Sequence, residues 1–218
     1  MKFRTRWSLT DVLTTLLALS PAIGALLLYN RLPDVLASHF SMDNTADGYM
    51  SKNSSILMLV LLGLVPLLLR LSRYMDPNRA NFKKFTKAYE VTRVGTSLIL
   101  AIAGWGMLLY NLNYRLQMLT ILYGVLGLML LVLGNYMTQV QPNYTFGIRT
   151  PWTLSNPEVW RKTHRFGGPM MMFGGASGLV AAWVDGVAGT AIFLTGLFIS
   201  VVIPVLYSFL LHRKINHQ

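Results

Sequence analysis

Six apolar runs, each near the ~20 residues that cross ~30 Å of hydrocarbon, divide the chain: residues 12–29, 55–71, 94–110, 116–137, 168–184 and 187–211. Polar segments separate them. A backbone crossing a bilayer must satisfy its own N–H and C=O groups, and runs of this length do so only as helices. The pattern therefore predicts an all-α, polytopic membrane protein built as a bundle of six transmembrane helices. Lys2, Arg4 and Arg6 precede the first run, as in a signal sequence, but the run is long for one and no convincing small-residue cleavage site follows. It reads as a retained anchor.

Composition supports this class: 53% of residues are hydrophobic and 12% charged. The net charge of +11 changes meaning once the cations are sorted by loop. Lys2, Arg4 and Arg6, then Arg73, Arg79, Lys83, Lys84, Lys87 and Arg93, then Arg149, Arg161, Lys162 and Arg165, and finally Arg213 and Lys214 fall on one side. The alternate loops hold only Arg31, Lys52 and Arg115. The asymmetry places both termini in the cytoplasm and makes the basic loops topology signals and anionic-lipid contacts, not a nucleic-acid surface. Arg70, near the end of the second run, is expected to snorkel to the same surface.

Two units follow: residues 1–93, with two spans, an extracytoplasmic loop at 31–54 and a basic cytosolic loop at 72–93, and residues 94–218, with four spans and a cytosolic loop at 138–167. Gly174 and Gly178 form a small-xxx-small pattern for close helix approach, within the chain or in a dimer. Met170, Met171 and Met172 beside them suit adaptable packing. Pro66 and Pro204 are candidate kinks, and Asp185-Gly186 a tight turn.

Little points to catalysis. Cysteine is absent, which removes disulfides, thiolate metal sites and thiol chemistry. No HExxH, GxSxG or phosphate-binding loop occurs, so no enzyme and no cofactor are expected. Asp11 lies only at the edge of the first run, and the lack of a charged pair within the spans argues against a pump.

The outer loop concentrates Asp34, His39, Asp43 and Asp47, an acidic set able to steer a cationic peptide. As a helix it would align His39, Asp43 and Asp47 on one face, but Asn44, Asp47 and Gly48 favour turns. A metal site lacks a fourth ligand, and His39 with Asp47 reads instead as a hydrogen-bonded brace; Tyr29 and Tyr49 suit the membrane interface. In the inner loop, Gly147 permits positive φ and Pro151 extends Thr150, so GIRTPW predicts a rigid bend. Ser155 or Asn156 can cap a helix that starts at Pro157, with Trp152 and Trp160 as interfacial anchors and His164 as a positioned interfacial group. Arg149 has three readings: a lipid headgroup contact, a salt bridge with Glu158 or Glu90, or recognition of a cytosolic partner.

The segment GNYMTQVQPNYTFGIRTPWTLSNPEVWRKTHRFGG, through Asn143, Gly147, Ile148, Arg149, Thr150, Pro151, Trp152, Trp160, Thr163 and Gly168, resembles the signature of the SdpI family of bacterial membrane immunity proteins. Leu32, Pro33, His39, Asp47, Gly48, Tyr49 and Lys52 resemble the extracytoplasmic domain that usually precedes it, with Ser41 where Asn is common and Asn44 where Gly is usual. The resemblance implies a protein of the bacterial cytoplasmic membrane that gives resistance to a secreted peptide toxin, and a toxin receptor that captures a cytosolic repressor. It implies toxin-facing residues at His39, Asp43, Asp47 and Tyr49. It implies a partner surface at Asn143, Gly147, Arg149, Thr150, Trp152, Trp160 and Thr163. The alternative reading is a small-solute transporter or channel.

Overall fold

The computed structural model describes residues 7–184 and 186–216; the topological cations Lys2, Arg4 and Arg6 and the turn residue Asp185 lie outside them. The helices are α1 (Leu9–Leu27), α2 (Lys52–Gly63), α3 (Val65–Met75), α4 (Thr86–Asn111), α5 (Met118–Tyr136), α6 (Pro151–Ser155), α7 (Pro157–Ala181) and α8 (Gly186–Asn216). Two antiparallel strands, β1 (Val35–Phe40) and β2 (Ala46–Ser51), stand between α1 and α2. This hairpin corrects the all-α expectation. Asn44 takes φ of 65° at its turn, a left-handed conformation that Asn tolerates well.

Among the described residues five helical stretches are long and apolar enough to cross a membrane: Leu9–Leu27, Lys52–Met75, Thr86–Asn111, Met118–Gln139 and Gly186–Ile215. With them the chain is a multi-pass membrane protein. The expected run at 168–184 is not among them, because α7 begins at Pro157 and carries Glu158, Arg161, Lys162 and Arg165 in its early turns. From Gly168 the helix continues only to Ala181, short of the ~20 residues that a span needs. Pro66 coincides with the break between α2 and α3, whereas α8 continues through Pro204.

The chain forms two compact units. The first comprises the described residues of Met1–Ser41, Thr45–Leu71 and Arg93–Leu116. Its core joins Ala22, Ala25, Leu32, Leu36, Leu59, Met107 and Leu108. Glycines allow the helices to approach: a Cβ at Gly104 would meet Pro21 at 2.7 Å, and one at Gly63 would meet Leu19 at 2.5 Å. Polar clasps complete it. The Trp105 indole donates to Ser20 Oγ at 2.9 Å, and Asn111 exchanges two hydrogen bonds with the Ala37 backbone, which fixes the hairpin to the end of α4.

Unit 1 also holds a buried ionic cluster. Asp11 Oδ1 accepts from Arg93 Nη2 at 2.6 Å, and Oδ2 faces Arg70 Nε at 3.1 Å. The three residues are 5%, 3% and 8% exposed for Asp11, Arg93 and Arg70 respectively. Asp11 closes a capping box with Ser8 at the start of α1, which orients its carboxylate. The guanidinium of Arg70 further lies over the Trp7 ring. These contacts correct two expectations: Arg70 does not snorkel, and the helices do carry a charged cluster. Asp11 stands in the first turn of α1, Arg70 at the middle of α3 and Arg93 in the third turn of α4, so the cluster ties three helices together.

The second unit comprises the described residues of Met42–Asn44, Ser72–Thr92 and Gln117–Gln218. Its helices α5, α7 and α8 meet through small residues. Gly127 faces the backbone of Gly175 and Gly178, Gly134 faces Gly168, and Gly174 faces Ser200. The small-residue stripe of α7 is thus used within the chain, toward α5 on one side and α8 on the other. In lipid, where apolar burial gives no drive between helices, such contact supplies the packing.

Removing the Asp11 carboxylate would leave two guanidinium groups buried. Asp11→Ala is expected to destabilise the protein by about 3–5 kcal/mol, measured by denaturant titration in detergent micelles. Asp34→Ala, which removes the exposed partner of Lys52, is expected to cost less than ~1 kcal/mol.

Candidate functional site

The segment between α5 and α7 is held by side chains that its sequence places at turns. Asn143, fully buried, donates from Nδ2 to the carbonyls of Gln141 and Phe146 at 2.8 and 2.9 Å. Its Oδ1 accepts from the N–H groups of Thr145 and Phe146 at 2.9 and 2.6 Å. Asp76, also buried, accepts from Tyr144 N–H and Thr145 Oγ1, both at 2.8 Å, and from Asn78 N–H. Asn81 Nδ2 donates to the Pro142 carbonyl at 2.7 Å. The basic segment after α3 therefore holds the signature loop in place.

Gly147 turns the chain with φ of 108°, and a Cβ there would run into His164 Nε2. The imidazole is 1% exposed and sits between two backbone groups. Nε2 accepts from Ile148 N–H at 3.0 Å, so the neutral ring carries its proton on Nδ1, which donates to the Trp160 carbonyl at 2.8 Å. Burial pushes the pKa down from 6.5 to about 4. His164 is thus a buried brace, which corrects its interfacial assignment.

Thr150 caps α6 as expected of an extended residue before proline, with Thr153 closing the box; Thr153 Oγ1 accepts from Thr150 N–H at 2.8 Å and donates to the Ile148 carbonyl at 2.9 Å. The bend at GIRTPW thus leads into a helical turn that begins at Pro151. Asn156 caps α7 through bonds to Glu158 and Val159 N–H. Trp160 is 1% exposed, stacks on His164 at 4.1 Å and donates to the Val140 carbonyl at 2.8 Å, so it is core, not an interfacial anchor. Trp152 is half-buried, donates to Ser208 Oγ and lies edge-on to Phe209. Thr163 is fully buried, and its hydroxyl has no partner among the described residues.

Arg149 is exposed at the surface of this knot. It donates to the Tyr144 carbonyl. Neither carboxylate proposed for it is engaged with it: Glu158 pairs with Lys162 at 2.7 Å and Glu90 with Arg73 at 3.5 Å. Next to Arg149 a cavity of about 340 Å³ runs between the loop and helices α5, α7 and α8.

In the β1–β2 hairpin, His39 Nδ1 and Asp47 Oδ1 are 2.5 Å apart and both side chains are exposed, which gives the expected brace. Tyr49 is exposed and its hydroxyl donates to the Ala46 carbonyl. Lys52 pairs with Asp34 at 3.1 Å and lies over the Tyr29 ring. Asp43 is in the turn. In unit 2, Asn44 donates to Gln117 Oε1 at 2.7 Å and accepts from Leu119 N–H at 3.1 Å, which satisfies the start of α5. A cavity of about 200 Å³ lies beside this contact, lined by Asp43, Asn44, Gln117, Leu119 and Tyr123 among others. Among the described residues no group of three or more His, Cys, Asp or Glu side chains could hold a metal ion.

Sequence reasoning missed Asp76, Asn81, Thr153 and the buried state of His164. An Asp before Pro-Asn and a His four residues after Trp160 were visible, but nothing local indicated their distant partners.

Comparison with known proteins bears on both blocks. Residues 139–208 match the model of the SdpI/YfhL protein family, and residues 16–64 match a domain of unknown function (DUF1648). The chain is 24% identical over 206 residues to the immunity protein SdpI of Bacillus subtilis (strain 168), a match that covers 94% of this chain and 97% of that protein. No solved structure matches.

Two stability measurements check this geometry. The unfolded chain binds a proton at residue 164 below pH ~6.5, whereas the folded chain binds it only below about 4. Stability is therefore expected to be full above pH ~6.5 and to fall by about 3 kcal/mol as the pH drops toward 4. His164→Gln, which can donate and accept in the same place, should flatten that slope in denaturant titrations. Asn143→Asp, which loses the two Nδ2 donors, is expected to cost about 2–4 kcal/mol at neutral pH in the same assay.

Proposed function

On the premise that this chain is related to the SdpI family, we propose that it is an immunity protein of the bacterial cytoplasmic membrane, giving resistance to a secreted antimicrobial peptide toxin. The observation that carries the reading is the match to an immunity protein along nearly the whole length of both chains, hairpin and signature included. The topology proposed with it has six crossings, the 25-residue α7 as a whole supplying one, and cytoplasmic termini.

The toxin-facing part is the outer hairpin with its turn. His39, Asp43, Asp47 and Tyr49 are the candidate residues; the exposed carboxylates steer a cationic peptide, and the brace between His39 and Asp47 keeps the hairpin in shape. At the other site, Asn143, Gly147, Trp160 and Thr163 build the signature segment from within, which leaves Arg149, Thr150 and Trp152 as the side chains able to meet a cytosolic repressor. Repressor capture follows from the family resemblance and needs a toxin-bound state that differs at this surface. The transporter or channel alternative separates from immunity by solute flux in proteoliposomes.

A sensitive bacterium expressing the chain is expected to survive challenge with an SDP-type peptide toxin, with abundance checked by immunoblot. Replacing both Asp43 and Asp47 by Asn is expected to lower survival about tenfold at unchanged membrane abundance, in line with lost steering. Full protection by that variant would remove the hairpin carboxylates from toxin recognition, and no protection by the unaltered chain would overturn the immunity reading.

A further inference from the structure

We infer that the signature end of unit 2 binds one anionic phospholipid of the surrounding bilayer, with the headgroup on Arg149 and an acyl chain in the adjoining slot. The inference concerns a different ligand from the toxin and does not rest on immunity. Its basis is the polarity of the 340 Å³ cavity. Arg149 and Thr150 line one end, while Leu130, Met137, Met171 and Val201 supply apolar wall. From Met137 to Leu130 the α5 wall extends roughly 10 Å away from the loop. The cavity thus has the charge distribution of an amphiphile.

The polar groups at the slot fit this occupant. Ser200 Oγ, within the apolar part, already donates to the Leu197 carbonyl, so the wall asks for no hydrogen bond. A guanidinium has five N–H donors, and Arg149 directs one nitrogen to the Tyr144 carbonyl without a carboxylate partner among the described residues. The remaining donors match phosphate oxygens in a fork that lysine lacks. Val201 is 55% exposed, so the slot has a side toward the surroundings through which a chain can enter.

A second cavity repeats the pattern. About 430 Å³ in volume, it has Lys162 and Arg165 among its lining residues and Phe166, Pro169, Met170 and Tyr207 as the remainder. Phe166 and Tyr207 stack at 4.5 Å to form its wall. Cations beside apolar slots therefore occur twice on this unit, as expected of a surface set among anionic headgroups and their chains.

The test uses the full chain reconstituted in vesicles that contain phosphatidylglycerol with a diazirine in its acyl chain; adducts are mapped by mass spectrometry. Labelling is expected within residues 130–137 and at Met171 or Val201, at least fivefold above that from the matching phosphatidylcholine probe. Arg149→Gln is expected to lower this yield at least fivefold, Arg149→Lys to give an intermediate yield, and Val201→Trp, which fills the slot, to abolish it. Both Arg149 and Val201 are exposed, and thermal melts of each variant check the fold. Equal labelling by the two lipids, an unchanged yield in a folded Arg149→Gln or Val201→Trp protein, or slot labelling displaced by an acidic peptide but not by phosphatidylglycerol would overturn the inference.

Discussion

A polar group shut away from water must find its partner inside the protein, and in a chain with this much apolar surface that constraint governs nearly every structural decision. The clearest case is Asp11, whose carboxylate is shared by Arg70 and Arg93. Desolvating three ions costs several kcal/mol each, offset only by close geometry and further hydrogen bonds. The capping box with Ser8 supplies one such bond and sets the carboxylate's direction. Helices α1, α3 and α4 of unit 1 are therefore held to one another by charge, while Gly24, Gly63 and Gly104 let α1, α2 and α4 approach closely elsewhere.

Unit 2 answers the same constraint with hydrogen bonds from side chains to the backbone of its loop. Asn143 uses both amide donors and its oxygen on the backbone of its own turn, Asp76 collects three donors, and His164 is held neutral between one N–H and one carbonyl. These side chains replace the regular backbone pairing that a helix would have provided. The loop is consequently a built element, with Trp160 at its core and Gly147 shaped to admit the imidazole. Asn143, Trp160, Thr163 and His164 of this motif are internal structure, not surface. Arg149 is the exception, because its charge remains outside that scaffold beside an apolar slot.

Two kinds of close approach thus coexist. Glycines on α5, α7 and α8 let backbones touch, where van der Waals contact is the available source of attraction. Polar side chains then fix the connections between those helices, where backbone groups would otherwise be orphaned. The hairpin follows the second rule. Its strands satisfy one another, and the turn residue Asn44 completes the first turn of α5, using the left-handed backbone that its position requires.

The sequence by itself determined the membrane class, most helix positions, the extended Thr150 before Pro151, a cap just before Pro157, the positive φ at Gly147 and the pairing of His39 with Asp47. These depend on hydrophobic runs, propensity and turn chemistry within a few residues, which a linear reading can reach. Tertiary structure decided the rest. Nothing near Arg70 announces Asp11 or Arg93, and the burial of His164 and Trp160 comes from contacts with Ile148 and Val140 that form only when the loop folds back. A helix starting at Pro157 is legible from its cap, but its unbroken continuation into the apolar run from residue 168 passes through charged residues, where hydropathy marks no boundary. Burial and ionic partnership are set by which distant segments share space, and that information is not local to the chain.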